Sequence, residues 1–298
     1  MCIGARHGIV PEPARETQTK MTTNATWLES LTPRVADLKA NLVAQQPIKK
    51  PADRVTLAGK RVGEILIQHL TWKARLVKPR PRDVVLWPEV TNSPYHPQYA
   101  AAIATIEADF KAGADMNPYL SNLVRSHTYA GDLPLRGTMT NDEWIKKSWN
   151  GKDRIRVTVD THHLHLGGRQ VDGTVGRSGP LLFAGITPET AFLITIGDHH
   201  SFTDGSISSL MYQKLDAQLA AQGGGVAIAG PMVTLGGGQV KDTMRSIEMM
   251  KLIYALDKRL EEEGHAGTAT RTIRVDWDDI LVLDAVTCHE LERIPGKL

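Results

Sequence analysis

Five of the chain's eleven histidines fall into two short clusters, and these residues have the types and spacing best suited to chemistry. The first cluster reads His-His-Leu-His-Leu-Gly from His162, and the second reads Asp-His-His from Asp198. Imidazole has an ordinary pKa of about 6.5 and is also the commonest metal ligand among side chains. Residues at alternate positions of a β-strand point to the same side, as His163 and His165 would. The spacing therefore predicts a sheet surface that carries histidines.

Acid-base catalysis is the first chemistry that fits such a surface. One histidine would remove a proton from a nucleophile such as the 2'-hydroxyl of RNA, and another would protonate the leaving oxygen. An arginine would stabilise the charge that develops on the phosphate. This interpretation predicts a metal-independent endoribonuclease without a cofactor. Its predicted catalytic residues are His163, His165, His200, Arg156 and Arg177.

Two alternatives remain open from the residues alone. In a metal-dependent hydrolase, the histidines would instead bind zinc or another divalent transition metal. The ligands would then be His163, His165, His199 and Asp198. Clustered titratable groups also occur in structural networks, so the third interpretation is a non-enzymatic module that binds nucleic acid or protein.

Positive charge is concentrated in residues 49–82. This segment holds ten Lys or Arg residues and two acidic ones, whereas the net charge of the whole chain is only +2. Local positive charge attracts polyanions, because contacts with phosphates release counterions. RNA or DNA is the expected partner, with a protein regulator as the alternative. The predicted nucleic-acid-binding residues are Lys60, Arg61, Lys73, Arg75, Arg80 and Arg82.

Helical periodicity predominates before residue 150 and alternating periodicity after it. Helices are predicted over 25–46, 57–76, 99–111, 142–149, 206–221 and 241–263, and strands over 155–166, 181–186, 192–197, 271–277 and 280–286. The predicted fold is α+β, with a helical N-terminal half packed on a C-terminal antiparallel sheet with two helices. The predicted division is a flexible tail over 1–24, a mainly helical region over 25–150 and an α+β domain over 151–298.

The first predicted strand contains a break in its alternation. Ile155, Val157 and Val159 share one parity, whereas Leu164 and Leu166 have the other. An extra residue in one strand of a pair, a β-bulge, would keep all five on the core side. We therefore expect a bulge between residues 159 and 164.

The remaining features narrow the class of protein. No stretch approaches the roughly 18 apolar residues of a membrane span, and the two cysteines lie at opposite ends of the sequence. These features favour a cytoplasmic protein without a disulfide framework. A sheet face that bears His and Arg resembles the layout of many bacterial ribonuclease toxins, which implies a toxin-like activity. No motif in the chain is specific to one such family.

Overall fold

The computed structural model describes residues 31–48, 50–122, 124, 140, 143, 156, 159–202, 204–221, 239–265, 267, 270–277 and 279–295. In this part of the chain there are seven α-helices, most of them N-terminal, and two β-sheets, which are mainly C-terminal. The predicted α+β class is therefore confirmed. None of the described helices is long and apolar enough to cross a membrane.

The first four strands of the chain form one sheet and the last three form the other. The helices are α1 (Pro33–Gln45), α2 (Pro51–Ala58), α3 (Val62–Lys73), α4 (Pro88–Thr91), α5 (His96–Ala112), α6 (Ser206–Ala221) and α7 (Val240–Glu262). The strands are β1 (Asp83–Leu86), β2 (Thr161–His165), β3 (Leu181–Ile186), β4 (Thr190–Gly197), β5 (Arg271–Asp276), β6 (Asp279–Asp284) and β7 (Glu290–Pro295). Short 3₁₀ helices span Asn117–Tyr119 and His199–Phe202.

The first core joins the N-terminal helices to the last elements of the chain. Leu38 of α1 and Leu66 of α3 are buried against Ile253 of α7. Ile273 of β5 and Ile280 of β6 belong to the same core, which lies on the antiparallel sheet β5-β6-β7. The core thus joins residues on either side of position 150, and the division into 25–150 and 151–298 stays a prediction.

A buried ion pair holds these distant segments together. Arg34 of α1 is completely buried and donates to the carboxylate of Asp257 in α7. Its guanidinium also donates to the carbonyl oxygens of Asp257, at 3.3 Å, of Arg271, at 3.2 Å, and of His265. The hydroxyl of Thr32 donates to the second carboxylate oxygen at 2.7 Å. Both charges are therefore satisfied where water cannot reach them, as a buried ion pair requires.

The second core surrounds the four-stranded sheet, whose order is β1-β4-β3-β2. On one face of the sheet, Phe110 of α5 packs against Leu182 and Leu193. On the opposite face, Ile207 of α6 packs against Phe183. Strand β1 runs parallel to β4, and the other pairs are antiparallel. The sheet is therefore mixed rather than purely antiparallel. A parallel neighbour requires a long crossover connection, and β1 meets that condition because it comes from the N-terminal half.

Local patterns predicted several elements well and missed others. Helices α6 and α7 match their predicted ranges to within one residue at each end, and α5 ends at Gly113, whose φ of 73° permits a left-handed cap. The helix predicted over 57–76 is instead α2 and α3, separated at Gly59 to Arg61. Strand β7 was not predicted, since its alternation is between exposed and half-exposed residues. The helix predicted over 142–149 lies outside the described residues.

We predict that breaking the buried pair is far more costly than removing it. Arg34→Met should lower the free energy of unfolding by about 3–5 kcal/mol, because the Asp257 carboxylate stays buried without its cation. Arg34→Met/Asp257→Leu should recover most of this loss. Urea denaturation measures both. The control is Arg274→Met, which breaks the partly exposed Arg274–Asp37 pair between β5 and α1 and should cost less than about 1 kcal/mol. Equal costs for the single and double variants would contradict the prediction.

His69 in α3 provides a second stability test. Its side chain is completely buried, and neither ring nitrogen has a hydrogen-bond partner. Its ring meets that of Trp72 edge-on, with centroids 5.7 Å apart. Burial, and then the positive charge of Lys73, lowers the pKa of His69 to about 3. The folded protein therefore holds this imidazole neutral at pH values where the unfolded chain protonates it.

We expect the neutral His69 to make the protein acid-sensitive. Because the folded pKa lies below the unfolded value of about 6.5, its contribution is complete above that pH and falls by up to about 1.4 kcal/mol per pH unit toward pH 3. His69→Leu should flatten this dependence and raise stability at pH 7, since it removes polar atoms that lack partners. Urea denaturation at several pH values tests both effects. The exposed His289→Leu is the control, and parallel pH profiles for wild type and His69→Leu would refute the assignment.

Candidate active site

Strand β2 carries the first histidine cluster at the edge of the four-stranded sheet. In the described part of the chain it pairs only with β3, so that His163 lies opposite Phe183 and His165 opposite Leu181. The two histidines therefore share the face that α6 covers, as their spacing predicted. His162 has the other parity and lies opposite Ala184, on the α5 side. The edge strand thus separates one histidine from the other two.

The rings of His163 and His165 form a close pair. Their centroids are 6.4 Å apart, and the ring planes are nearly perpendicular, at 80°. The side chains are largely buried, with His163 8% exposed and His165 3% exposed. This burial limits contact with any ligand to a small part of each ring.

The bulge predicted between residues 159 and 164 is absent. Residues 161–165 pair with β3 without interruption, and Leu164 and Leu166 are both buried. The strand begins only at Thr161, because Arg156 and Val159 are helical and Asp160 turns the chain with a φ of 56°. The parity changes because the local period changes from helix to strand, which removes the need for an extra residue.

A bulge is found instead in the neighbouring strand pair. The register between β3 and β4 shifts after Phe183, so that Thr195 faces Phe183 and Leu193 faces Ala184. Ile194 is the extra residue on β4. Leu193 and Ile196 consequently share the α5 face although they are three residues apart. Strict alternation would instead place Ile194 and Ile196 on one face.

The second cluster forms an exposed turn at the end of β4. His199 and His200 are exposed in the 3₁₀ helix His199–Phe202. The carboxylate of Asp198 accepts hydrogen bonds from the backbone of His200, at 2.8 Å, and of Ser201, at 3.2 Å. These bonds, led by that from Ser201, lower the pKa of Asp198. Asp198 therefore stabilises the turn that begins the 3₁₀ helix.

The two clusters lie at the same end of the sheet but on strands that are not neighbours. His165 faces Leu181, and Leu181 faces Gly197, two residues before His199. Two strand spacings separate β2 from β4, or about 9.6 Å. The side chain of Leu181 lies on the shared face between them. Tertiary structure thus brings both clusters to one end of the sheet and leaves Leu181 between their strands.

Charged residues meet at the start of β2. Asp160 accepts a hydrogen bond from Arg156 and another from Lys241 at 2.6 Å. Gln239 donates to the backbone oxygen of Arg156 at 2.8 Å, and Arg156 donates to the Ala74 oxygen at 2.9 Å. Burial, and then the positive charge of Arg156, lowers the pKa of Lys241 to about 8, although Asp242 acts to raise it. The sequence predicted Arg156 as a site residue. It did not predict that Arg156 would contact Asp160 and Gln239.

Sequence offered a partial signal for this charged group. Lys241 follows the glycine run 236–238 and lies in the first turn of α7. The N-terminus of a helix is a favourable place for a bound anion, and a lysine there adds positive charge. Its proximity to Asp160, 81 residues earlier, is a tertiary contact. The other predicted phosphate-binding arginine, Arg177, is exposed in the loop between β2 and β3.

The predicted nucleic-acid-binding residues divide by exposure. Arg75 is buried, and so is Arg82, which donates to the backbone oxygen of Thr187 at 2.8 Å. Lys73 lies between Trp72 and Trp277, 5.0 Å from each ring, and burial lowers its pKa. Arg75 and Arg82 are therefore withdrawn from a polyanion, whereas Lys73 is only partly buried and is held between two indole rings.

The other three predicted binding residues reach solvent at least in part. Arg61 is exposed, and Lys60 is partly exposed. Arg80 is also exposed and lies 3.9 Å from Glu189. The predicted binding surface therefore retains Lys60, Arg61 and Arg80, whose contact with nucleic acid stays a prediction.

The metal alternative requires its ligands to converge on one point. Among the described residues, no group of three or more His, Cys, Asp or Glu side chains is arranged to hold a metal ion. The predicted ligands divide between β2, which bears His163 and His165, and the turn with Asp198 and His199. Binding of zinc or another metal stays a prediction.

The Asp160 cluster yields a prediction about protonation. Asp160→Asn should lower the pKa of Lys241 further below about 8, because it removes the negative charge that favours the protonated amine. Heteronuclear NMR of the lysine side chains during a pH titration measures this value. Asp37→Asn, a carboxylate on α1, is the control and should leave Lys241 unchanged. A pKa for Lys241 that stays constant or rises in Asp160→Asn would show that the carboxylate does not act on it.

Similarity to characterised proteins adds no information about this site. Comparisons with known protein families, with curated proteins and with solved structures found no match to this chain. A function for the site must therefore be argued from its own side chains.

Proposed function

We propose that the protein is a nucleic-acid-processing enzyme, a metal-independent endoribonuclease in which His163 and His165 form the acid-base pair. The observation that carries the proposal is the arrangement of the two rings on one face of an edge strand, with centroids 6.4 Å apart. Two imidazoles at this separation can each form a hydrogen bond of about 2.8 Å to a different oxygen of one phosphodiester. This separation supports the proposal that the two rings transfer protons at both oxygens.

The reaction needs only protons and the RNA itself. One imidazole accepts the proton of the 2'-hydroxyl while that oxygen attacks the adjacent phosphorus. The bond from phosphorus to the 5'-oxygen breaks, and the second imidazole, in its protonated form, donates a proton to the leaving oxygen. The products are a 2',3'-cyclic phosphate and a free 5'-hydroxyl. Water later opens the cyclic phosphate when the two histidines exchange roles.

Positive charge near the start of β2 supports the same proposal. Arg156 and Lys241 contact Asp160, only three residues before His163. The three side chains carry a net positive charge when Lys241 is protonated, which favours an approaching phosphate and the charge that develops on it. Arg156 is held by several hydrogen bonds, so it is preorganised for this electrostatic role.

The burial of the histidines favours a second candidate function. Side chains that are 8% and 3% exposed give a polymeric substrate little access. If the rings are structural, the protein is a non-enzymatic nucleic-acid-binding module, and its exposed cations bind the RNA. Activity measurements distinguish this candidate from the enzyme.

The test is cleavage of a fluorescent single-stranded RNA in the presence of EDTA. We expect cleavage to persist with the chelator, to show a bell-shaped pH profile and to fall by about 10²-fold or more in His163→Ala and in His165→Ala. The matched control is His162→Ala, which removes an equally buried imidazole from the opposite face. It should retain activity once its thermal stability is taken into account.

Other outcomes select the alternatives. Loss of cleavage in EDTA and its recovery with zinc would favour the metal-dependent hydrolase. RNA binding by the wild-type protein without cleavage would leave the binding module. An equal loss of activity and melting temperature in all three histidine variants would show that the cluster is structural.

A further inference from the structure

A pocket on the first core has features that the histidine site lacks. It has a volume of about 510 Å³ and lies where α1, α3 and α7 meet, within the range of roughly 300–1,000 Å³ typical of small-molecule sites. Its cations come from two segments, Lys39 of α1 and the pair Lys60 and Arg61 before α3. Its apolar lining consists of Leu31, Val62, Ile67, Met250 and Tyr254.

The pocket has an excess of positive side chains, and solvent can reach them. Lys39, Lys60 and Arg61 outnumber the one acidic side chain in its lining, Glu64. That carboxylate accepts a hydrogen bond from the backbone of Arg61 at 2.9 Å and lies 3.6 Å from its guanidinium. The Arg61 side chain is nevertheless 76% exposed. An anion can therefore approach the three cations from solvent.

Tyr254 adds an aromatic surface to the cations. It lies on the exposed side of α7 and is 40% exposed although it is a large ring. A phenol ring beside positive charge is the combination that binds a nucleotide, because the cations contact the phosphate and the base stacks on the ring. Met250, one turn earlier on α7, extends the apolar floor.

Gly63, the second residue of α3, leaves space in the pocket. Packing does not require glycine at this position, since an added Cβ would meet only the Met250 side chain, at 3.9 Å. The residue lines the pocket, so a side chain there would occupy space that a ligand can use.

We propose that this pocket binds one nucleotide of single-stranded RNA, with the phosphate on Lys39, Lys60 and Arg61 and the base against Tyr254. The choice of RNA rests on the proposed function, whereas the phosphate-plus-base chemistry rests on the pocket. Sequence had identified Lys60 and Arg61 as candidate binding residues; Lys39 and Tyr254 join them only through the packing of three helices. The pocket is thus a substrate-binding subsite separate from the histidine row.

The test is fluorescence anisotropy of the full-length protein with a labelled 2'-O-methyl RNA of about ten nucleotides. This probe has no free 2'-hydroxyl and stays intact whatever the activity of the protein. Lys39→Ala and Arg61→Ala should each weaken binding and reduce the slope of log affinity against log salt by about 0.7. Tyr254→Ala should weaken binding by at least about fivefold, which corresponds to the lower end of base stacking.

Matched variants separate the pocket from general charge effects. Lys251→Ala removes an exposed cation of α7 that does not line the pocket, and its affinity should equal that of wild type. Gly63→Ala should weaken RNA binding without lowering the free energy of unfolding, because the added methyl group meets only the Met250 side chain, at 3.9 Å. Free AMP should compete with the RNA probe, whereas inorganic phosphate should compete less well because it lacks the base.

The outcomes distinguish this inference from the proposed endoribonuclease. Wild-type affinity in Lys39→Ala, Arg61→Ala and Tyr254→Ala would overturn the pocket, as would equal losses in Lys251→Ala. Failure of the wild-type protein to bind the probe would also overturn it. If the pocket binds RNA but the protein does not cleave ordinary RNA, the pocket is supported and the endoribonuclease is rejected. If the protein cleaves RNA and the pocket variants change neither its rate nor its KM, the endoribonuclease is supported and the pocket is rejected.

Discussion

The ion pair between Arg34 and Asp257 is the interaction on which the first core depends. It joins residues separated by 223 positions, and the same guanidinium binds carbonyl oxygens on the segments before and within β5. A buried charge is tolerated only where hydrogen bonds and an opposite charge satisfy it fully. The segments that supply those partners are therefore held in one arrangement. This arrangement sets α1 beside α7, and α3 packs against both helices through the apolar side chains of the first core. The pocket with Lys39 and Tyr254 exists because of that placement.

The histidine site depends on a different constraint, which is the position of β2 at the edge of its sheet. Backbone pairing with β3 places His163 and His165 on one face, next to Phe183 and Leu181. These apolar neighbours make the site dry, which strengthens electrostatic interactions and also restricts access. The same burial therefore supports a preorganised acid-base pair and limits the part of a substrate that can reach it.

The two proposed surfaces divide recognition from chemistry. The pocket has accessible cations and an exposed aromatic ring, and the histidine row has titratable groups with little exposure. A polymeric substrate suits such a division, because contacts with one nucleotide can position a phosphodiester elsewhere along the chain. In this proposal the basic segment first identified from its charge supplies only part of the recognition. Arg75 and Arg82 are buried, so local charge density overestimates the number of cations available to RNA.

The sequence by itself determined the α+β class, the limits of α6 and α7, and the shared face of His163 and His165, because helical and strand periods are local properties of the chain. It did not determine where alternation would stop, and the change from helix to strand at Asp160 was therefore mistaken for a bulge. Tertiary structure decided the burial of the histidines, the parallel pairing of β1 with β4, and the meeting of Lys39, Arg61 and Tyr254. The pairing of β1 with β4 and the approach of Tyr254 to Lys39 join residues about a hundred or more positions apart, whereas the histidines are buried by β3 and α6, which follow β2 within about fifty residues. In each case the packing energy that selects the contact is not encoded in a local pattern.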